Sequence, residues 1–223
     1  MRYDSAHALE ARPPSPRRSS RIRGALDRAS IAAAAIELVE HLGIERLTMR
    51  ALATELDCGT MTLYTHVRNR DDLLTAVVER LISEVDADRI AAESDGTWRG
   101  LLSGVLGSYR DLAMRHPRSF ELLALAPYDL PPVAPHLEGV VATLERTGLS
   151  ADEARTALGL ADAFATGFLV VWARTATRQD TLGTARTETS LGDLRAPEMY
   201  DRGVEAVLLG FEATLGDVAP SLA

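Results

Sequence analysis

LTMRALATEL at residues 47–56 and GTMTLYTHVRNR at residues 59–70 decide the fold of this chain. Two short helical patterns lie on either side of a tight turn at Asp57-Cys58-Gly59. Four aliphatic side chains can form a small core that fixes the crossing of the two helices: Leu52, Leu56, Leu63 and Val67. This is the layout of a helix-turn-helix, whose second helix enters the major groove of DNA.

Helical periodicity continues from Leu26 almost to the end of the chain and predicts an all-α protein. Thr48 is expected to cap the first short helix, and Ser150 with Glu153 forms a capping box for a long helix. Residues 179–196 are polar and predict a loop. The predicted helices cover about 26–42, 49–56, 60–65, 71–85, 97–115, 119–125, 135–147, 150–177 and 197–215.

Three regions are predicted from these patterns. Residues 1–25 contain six Arg, three Pro and four Ser without apolar periodicity, which indicates a flexible basic arm. Such an arm could contact phosphates or the minor groove, or it could be an untidy terminus or a misassigned start codon. A three-helix DNA-binding domain with its connecting helix is expected at 26–94, and a helical ligand-binding and dimerisation domain at 95–223.

Charge is distributed unevenly along the 223 residues, whose net charge is −8. The first 70 residues carry eleven Arg against eight Asp and Glu, while the remainder carries thirteen Arg against twenty-four. A basic head on an acidic body suits a DNA-binding protein. The single cysteine, the lack of a signal core and the absence of an apolar run of membrane-spanning length predict a cytoplasmic protein with no membrane partner.

These residues resemble the DNA-binding domain of the tetracycline-repressor (TetR) family over about Leu26 to Leu81. The departure is Asp57, where the family usually has Gly; Asp tolerates the left-handed region that this turn needs. The second half is similar to the ligand-binding domain of the tetracycline-type branch. The similarity rests on Ala33–Leu38, Gly43, Leu47–Ala53, Thr62–Val67, Arg70–Leu74, Trp98-Arg99, Tyr109-Arg110, His116-Pro117 and Gly203–Glu212.

The resemblance implies a division of labour among eight residues of the head. Arg50, Thr60, Met61 and Thr65 would approach base edges, because Arg pairs with guanine and Thr and Met methyls pack on thymine. Thr62, Tyr64, His66 and Arg70 would hold phosphates and set the register. The alternative for Tyr64 and His66 is that they are only partly buried packing residues.

An effector site is expected in the second domain, which contains the aromatic residues Trp98, Tyr109, Phe120, Tyr128, Phe164, Phe168 and Trp172. The predicted site is an apolar cavity framed by the helices at about 97–116, 135–147 and 150–177, lined by His116, Phe164, Phe168 and Trp172. Its ligand should be hydrophobic or amphipathic, and the acidity of the domain argues against a strongly anionic one. In the tetracycline repressor a His at the spacing of His116 binds metal, but one His is not a metal site, so no metal and no cofactor are expected.

The sequence therefore predicts a homodimeric repressor that a small molecule releases from its operator. The helices at about 150–177 and 197–215 are expected to form the dimer as a four-helix bundle, with Leu208 and Phe211 at the contact. One alternative is a DNA-binding regulator without a small-molecule effector, controlled by a protein partner or by its abundance. The other is an enzyme with a vestigial head, although no catalytic motif supports it.

Overall fold

The computed structural model describes residues 26–182 and 196–216, with the side chains of 26–178 and 196–215. Within these residues the secondary structure is helical without strands, which confirms the predicted all-α fold. A 3-10 turn at Ile44–Arg46 follows the first helix. The α-helices are α1 Arg28–Leu42, α2 Met49–Glu55, α3 Thr60–Tyr64, α4 Arg70–Ile82, α5 Ala87–Glu93, α6 Trp98–Arg115, α7 Phe120–Ala124, α8 Val133–Arg146, α9 Ala151–Leu182 and α10 Pro197–Gly216.

Helices α1 to α4 form the N-terminal head. The Asp27 carboxylate accepts from the Ser30 backbone N–H at 2.7 Å and begins α1. The Thr48 hydroxyl accepts from the Ala51 N–H at 3.1 Å and begins α2, as predicted. Asp57 has a φ of +50°, so the turn between α2 and α3 uses the left-handed backbone conformation that the sequence predicted for it.

Helices α6 to α10 form the second domain, with α9 at its centre in contact with α6, α7, α8 and α10. The capping box at the start of α9 is confirmed, since the Ser150 N–H donates to Glu153 at 2.7 Å and the Glu153 N–H donates to the Ser150 hydroxyl at 3.3 Å. Residues 179–182, predicted as loop, continue α9 instead. The predicted arm at 1–25 and the rest of the predicted loop, 183–195, lie outside the described residues.

Helix α5 was not predicted as a separate element. The chain leaves α4 after Ile82, and Asp86 caps α5 by accepting from the Arg89 N–H at 3.0 Å. Since α5 packs on α6 and α8, the seven residues before Ser94 contact the second domain. The predicted division of the chain at residue 94 stays a prediction.

Helix α9 corrects one expectation about length and hydropathy. Over Ala151–Arg178 it is long and apolar enough to cross a membrane by those two measures, although no run of that length was expected. Many of its residues are Ala, which raises mean hydropathy without adding a large side chain. Its contacts with four neighbouring helices are those of a core helix.

The two domains are joined through a junction clasp, which consists of Glu40 on α1 and the Arg118-Ser119 turn before α7. The Glu40 carboxylate accepts from the Ser119 N–H at 2.7 Å and from the Arg118 N–H at 3.2 Å. The Arg118 guanidinium donates back to the Glu40 carbonyl oxygen at 2.9 Å. Helix α4 adds packing against α7 and α8, so the head and the second domain are connected both by the clasp and by this packing.

Glu40→Ala should lower the free energy of unfolding by about 1–3 kcal/mol, because it leaves the N–H groups of Arg118 and buried Ser119 without their acceptor. Urea unfolding followed by circular dichroism measures the change. Glu37→Ala is the matched control, since Glu37 is exposed on the same helix and its loss should cost less than about 0.5 kcal/mol. Equal losses in the two variants would show that the clasp adds no stability.

Candidate DNA-binding surface and effector site

Helix α3 is held on the head by a small core at its crossing with α2. Leu52, Leu63 and Val67 are fully buried there, and Leu56 is half-buried at the end of α2. Cys58 is also half-buried against this core, where it packs as a small apolar residue. The core therefore uses one face of α3 and leaves the other face free.

The residues predicted to contact DNA lie on the free face of α3, in the turn after it, and at Arg50 of α2 and Arg70 of α4. Met61 is 76% exposed and Tyr64 is 46% exposed, which is unusual for side chains of this size. Of the eight predicted residues only His66 is half-buried. Part of its side chain therefore packs against the head, as the alternative for this residue expected. The exposed ones are Arg50, Thr60, Met61, Thr62, Tyr64, Thr65 and Arg70.

Arginines flank this face on the side of α4. Arg70 is the first residue of α4, and its guanidinium makes one long hydrogen bond, 3.4 Å, to the Ile44 carbonyl oxygen. Arg68, which the sequence reasoning did not select, has a side chain that is 87% exposed. It lies in the turn after α3, where helical periodicity gives no indication of direction. The Arg68 N–H and the Arg28 guanidinium lower the pKa of Asp72 to about 2, so this carboxylate braces the turn at neutral pH.

Aromatic rings from α9 and α10 form a cluster in the second domain. The Phe164 ring lies 5.9 Å from Phe168 and 5.8 Å from Tyr200, and Phe168 lies 5.5 Å from Tyr200. The Tyr200 hydroxyl donates to the Leu106 carbonyl oxygen at 2.9 Å, which ties α10 to α6. Phe164 and Phe168 therefore lie together, with Tyr200 as a third ring that the sequence did not indicate, and their contact with an effector stays a prediction.

Polar groups lie beside these rings. The Tyr109 hydroxyl and His136 Nε2 are 2.8 Å apart, and the Tyr128 hydroxyl donates to Asp162 Oδ2 at 2.6 Å. Burial raises the pKa of Asp162 above its ordinary value and lowers that of His136, so the imidazole is neutral at neutral pH. The sequence reasoning missed His136 and Asp162, because single polar residues in helices usually lie on solvated faces.

Three comparisons with known proteins agree with this geometry. The family model described as bacterial regulatory proteins, tetR family, matches residues 31–77. An HTH-type transcriptional regulator from Saccharopolyspora erythraea is 27% identical over 224 residues, covering 90% of this chain and 91% of that protein. The class A tetracycline repressor of transposon 1721 from Escherichia coli is 31% identical over 137 residues, covering 60% of this chain and 61% of that protein.

The chain belongs to the TetR family. Its members are transcriptional regulators and not enzymes, so the enzyme alternative is set aside. The crystal structure of ActR from Streptomyces coelicolor with actinorhodin has the same fold, with a TM-score of 0.65 at 24% identity, covering 87% of this chain and 99% of that chain.

The other two residues predicted to line the TetR-type effector site occupy different positions. His116 is the C-cap of α6 next to the junction clasp, and its Nδ1 atom is buried without a hydrogen-bond partner among the described residues. Trp172 is half-buried against the core, one turn beyond Phe168 on α9. Their contact with an effector stays a prediction.

Two surface grooves are present in the described part of this TetR-family chain. One, of about 920 Å³, runs between the end of α1 and the end of α9 and includes Arg46, Arg118 and Arg174. The other, of about 500 Å³, lies between α8 and the start of α9. Neither is the cavity predicted between α6, α8 and α9, which stays a prediction.

The expected dimer contact at Leu208 and Phe211 is wrong. Leu208 is 1% exposed and Phe211 is 3% exposed, and the Phe211 ring meets Trp98 of the same chain at 5.3 Å. Both therefore pack α10 onto its own domain. Arg99 holds this orientation through Glu205 at 2.5 Å and Glu212 at 2.7 Å.

A different face of α9 and α10 stays exposed, and we call it the outer α9–α10 face. It carries small and aliphatic residues at helical spacing, and Leu160, Val171 and Leu209 are 50%, 42% and 51% exposed. This composition is unusual for a surface left to solvent. The face consists of Leu160, Ala163, Gly167, Val171, Ala206, Leu209, Gly210 and Ala213.

Gly203→Ala should lower the free energy of unfolding by about 1–3 kcal/mol, because overpacking outweighs the roughly 1 kcal/mol helix propensity of Ala. A Cβ atom at Gly203 would lie 2.0 Å from Cζ of Phe164, whose ring is already packed in the aromatic cluster. Urea unfolding tests this against Gly139→Ala on α8, where a Cβ meets nothing within 4 Å and should stabilise. If Gly203→Ala is as stable as Gly139→Ala, the close approach of α10 to α9 is not present in solution.

Proposed function

We propose that this chain is a homodimeric repressor that acts in the cytoplasm, binds a pseudo-palindromic operator in double-stranded DNA, and is released by a small hydrophobic or amphipathic molecule. The exposed face of α3 carries the proposal. Met61 and Tyr64 are exposed on a five-residue helix whose other side is fixed by a buried core. A short rigid helix with an exposed outer face is what docking in a major groove requires.

The roles proposed for the head follow from its chemistry. Arg50, Thr60, Met61 and Thr65 read base edges, and Thr62, Tyr64, His66 and Arg70 hold phosphates. The Arg70 guanidinium supports the proposed phosphate contact, because among the described residues it makes one long hydrogen bond and so keeps most of its donors for phosphate oxygens.

Dimerisation is proposed through the outer α9–α10 face. Two helices from each chain form a four-helix bundle, in which the small residues allow a close approach. A two-fold dimer repeats the recognition helix, and the operator half-sites then lie about 34–36 Å apart, one turn of DNA.

Effector control is proposed through the aromatic and polar cluster of the second domain. It combines apolar rings with a few hydrogen-bonding groups, which is the usual composition of a small-molecule site. ActR, crystallised with actinorhodin, shows that this fold can hold a small molecule. A ligand that prefers one spacing of the two heads shifts the population of dimers toward that spacing, through α4 and the junction clasp.

Selection of DNA from a random library by the full-length protein tests the proposal. The selected sequences should share an inverted repeat whose half-sites are one helical turn apart, and an effector should both raise the melting temperature and release the DNA. Selected sequences without an inverted repeat would contradict the dimeric reading mode. Normal operator binding with no stabilisation by any compound would favour control by a protein partner instead.

A further inference from the structure

Asp162 is a largely buried carboxylate without a cationic partner among the described residues. It accepts a hydrogen bond from the Tyr128 hydroxyl at 2.6 Å and a long one from Thr166 at 3.5 Å. No Arg or His of the described residues lies within ion-pair distance of it. A carboxylate can accept about four hydrogen bonds, so Asp162 has acceptor capacity that this chain does not use.

Phenol rings from three other parts of the domain surround this charge. Besides Tyr128, the hydroxyls of Tyr109 and Tyr200 are close to Asp162: burial mainly raises the pKa of both, Asp162 adds to the rise for Tyr109, and for Tyr200 it adds less than Asp201 does and Arg110 opposes the rise. The neighbouring His136 is neutral, because burial lowers its pKa, and supplies no counter-charge. A negative charge beside several aromatic side chains is an environment that attracts organic cations, through ion pairing and through cation–π contacts with nearby rings.

An acidic groove lies on the surface beside Tyr128, the residue that donates to Asp162. The groove of about 500 Å³ between α8 and α9 has Tyr128 on its wall, together with Asp129, Glu138 and Glu145. Its one basic residue, Arg155, lies 3.8 Å from Asp152. A groove with an excess of negative charge concentrates cations at its mouth. Tyr128 belongs both to the groove and to the hydrogen bond with Asp162.

We infer that the effector is an organic cation, a protonated amine on an aromatic body, whose ammonium group pairs with Asp162. The inference rests on the proposed effector control and adds the charge of the ligand. The ammonium enters along the acidic groove and displaces the Tyr128 hydroxyl from the carboxylate. The rings of Tyr109 and Tyr200 then lie beside the apolar body of the ligand.

Three acridines with one ring system and different charges test this inference on the full-length dimer without DNA. They are 9-(aminomethyl)acridine, whose primary amine is protonated, as the cation, acridine as the neutral compound and acridine-9-carboxylate as the anion. Isothermal titration should show that the wild type binds the cation at least about tenfold more tightly than either of the others, as expected for a charge-assisted pair. Asp162→Asn should abolish this preference and leave acridine binding within about twofold.

Glu37→Gln is the control, because it removes an exposed carboxylate on α1 that does not line the groove. It should bind all three compounds as the wild type does. Asp162→Asn should melt no lower than the wild type, because Asn keeps the shape and removes a charge whose burial is unfavourable. Tyr128→Phe should keep or increase cation affinity, since it removes the hydroxyl that competes for Asp162.

The inference is overturned if the wild type does not bind the cation, if the neutral or anionic acridine binds equally well, or if folded Asp162→Asn keeps the preference. The proposed function is judged by a separate measurement, the release of operator DNA in a library of compounds of all charges. Release by neutral or anionic compounds alone would reject the cationic effector and keep the ligand-responsive repressor. Absence of release by every compound would reject effector control itself.

Discussion

Leu209→Asp is expected to yield a folded monomer that binds operator DNA at least about a hundredfold more weakly than the wild type. Leu209 is 51% exposed on the outer α9–α10 face, so Asp at this position meets water in the monomer. In the proposed dimer the same charge would be buried between two apolar helices without a partner, which is strongly unfavourable. A monomer reads only one half-site and loses the linked second contact. Sedimentation velocity at micromolar concentration and fluorescence anisotropy with the operator measure the two effects.

Leu208→Asp, one residue away, is the informative comparison. Leu208 is 1% exposed inside its own domain, so this variant should lose at least about 3 kcal/mol of stability. Circular dichroism and thermal melting should therefore separate an unfolding variant at 208 from a dissociating variant at 209. A Leu209→Asp protein that still sediments as a dimer, or a wild type that sediments as a monomer, would disprove the proposed interface.

Tyr64→Ala and Arg70→Ala should each weaken binding to all operator variants alike, by roughly tenfold, because both are proposed to hold phosphates. Arg70→Ala should also reduce the slope of log K against log salt concentration by about 1, as expected when one phosphate contact is lost. Both residues are exposed, so the fold should be unaffected. Anisotropy titrations over a range of salt concentrations measure affinity and slope together.

Arg50→Ala should act differently, with a change of base preference of roughly 1–3 kcal/mol at one operator position. Arg89→Ala is the charge-matched control, because Arg89 pairs with Glu93 on α5 and has no proposed DNA contact. It should leave both the affinity and the salt slope unchanged. Folded Tyr64→Ala and Arg70→Ala proteins that bind the operator as tightly as Arg89→Ala would rule out this docking of α3.

The head could be predicted closely from sequence, because its structure depends on local interactions. Thr48 caps α2 through a residue three positions away, and Asp57 takes the turn conformation that its short polar side chain tolerates. Helix ends were equally predictable wherever Gly, Pro or a capping box interrupted the pattern. Helix α5 was missed because an apolar pattern from 71 to 85 concealed the break after Ile82.

Packing between distant helices could not be predicted in the same way. Helix α10 has apolar residues on two faces, and periodicity does not say which face meets its own chain. In the structure Phe211 packs against Trp98 of α6, so that face of α10 is buried in its own chain and Leu209 stays exposed. Phe164 and Phe168 could be grouped from the sequence because they lie one turn apart on one helix. Asp162 and His136 could be recognised only once the fold had placed them beside tyrosines from other elements.

The junction clasp has a consequence for the exchange of domains between related regulators. Its acceptor, Glu40, belongs to the head, and its two N–H donors belong to the second domain. A chimera that combines this head with a body from another protein would therefore retain DNA recognition and lose part of the mechanical linkage. Modular reuse of such heads in engineered sensors requires that both halves of the clasp be transferred together.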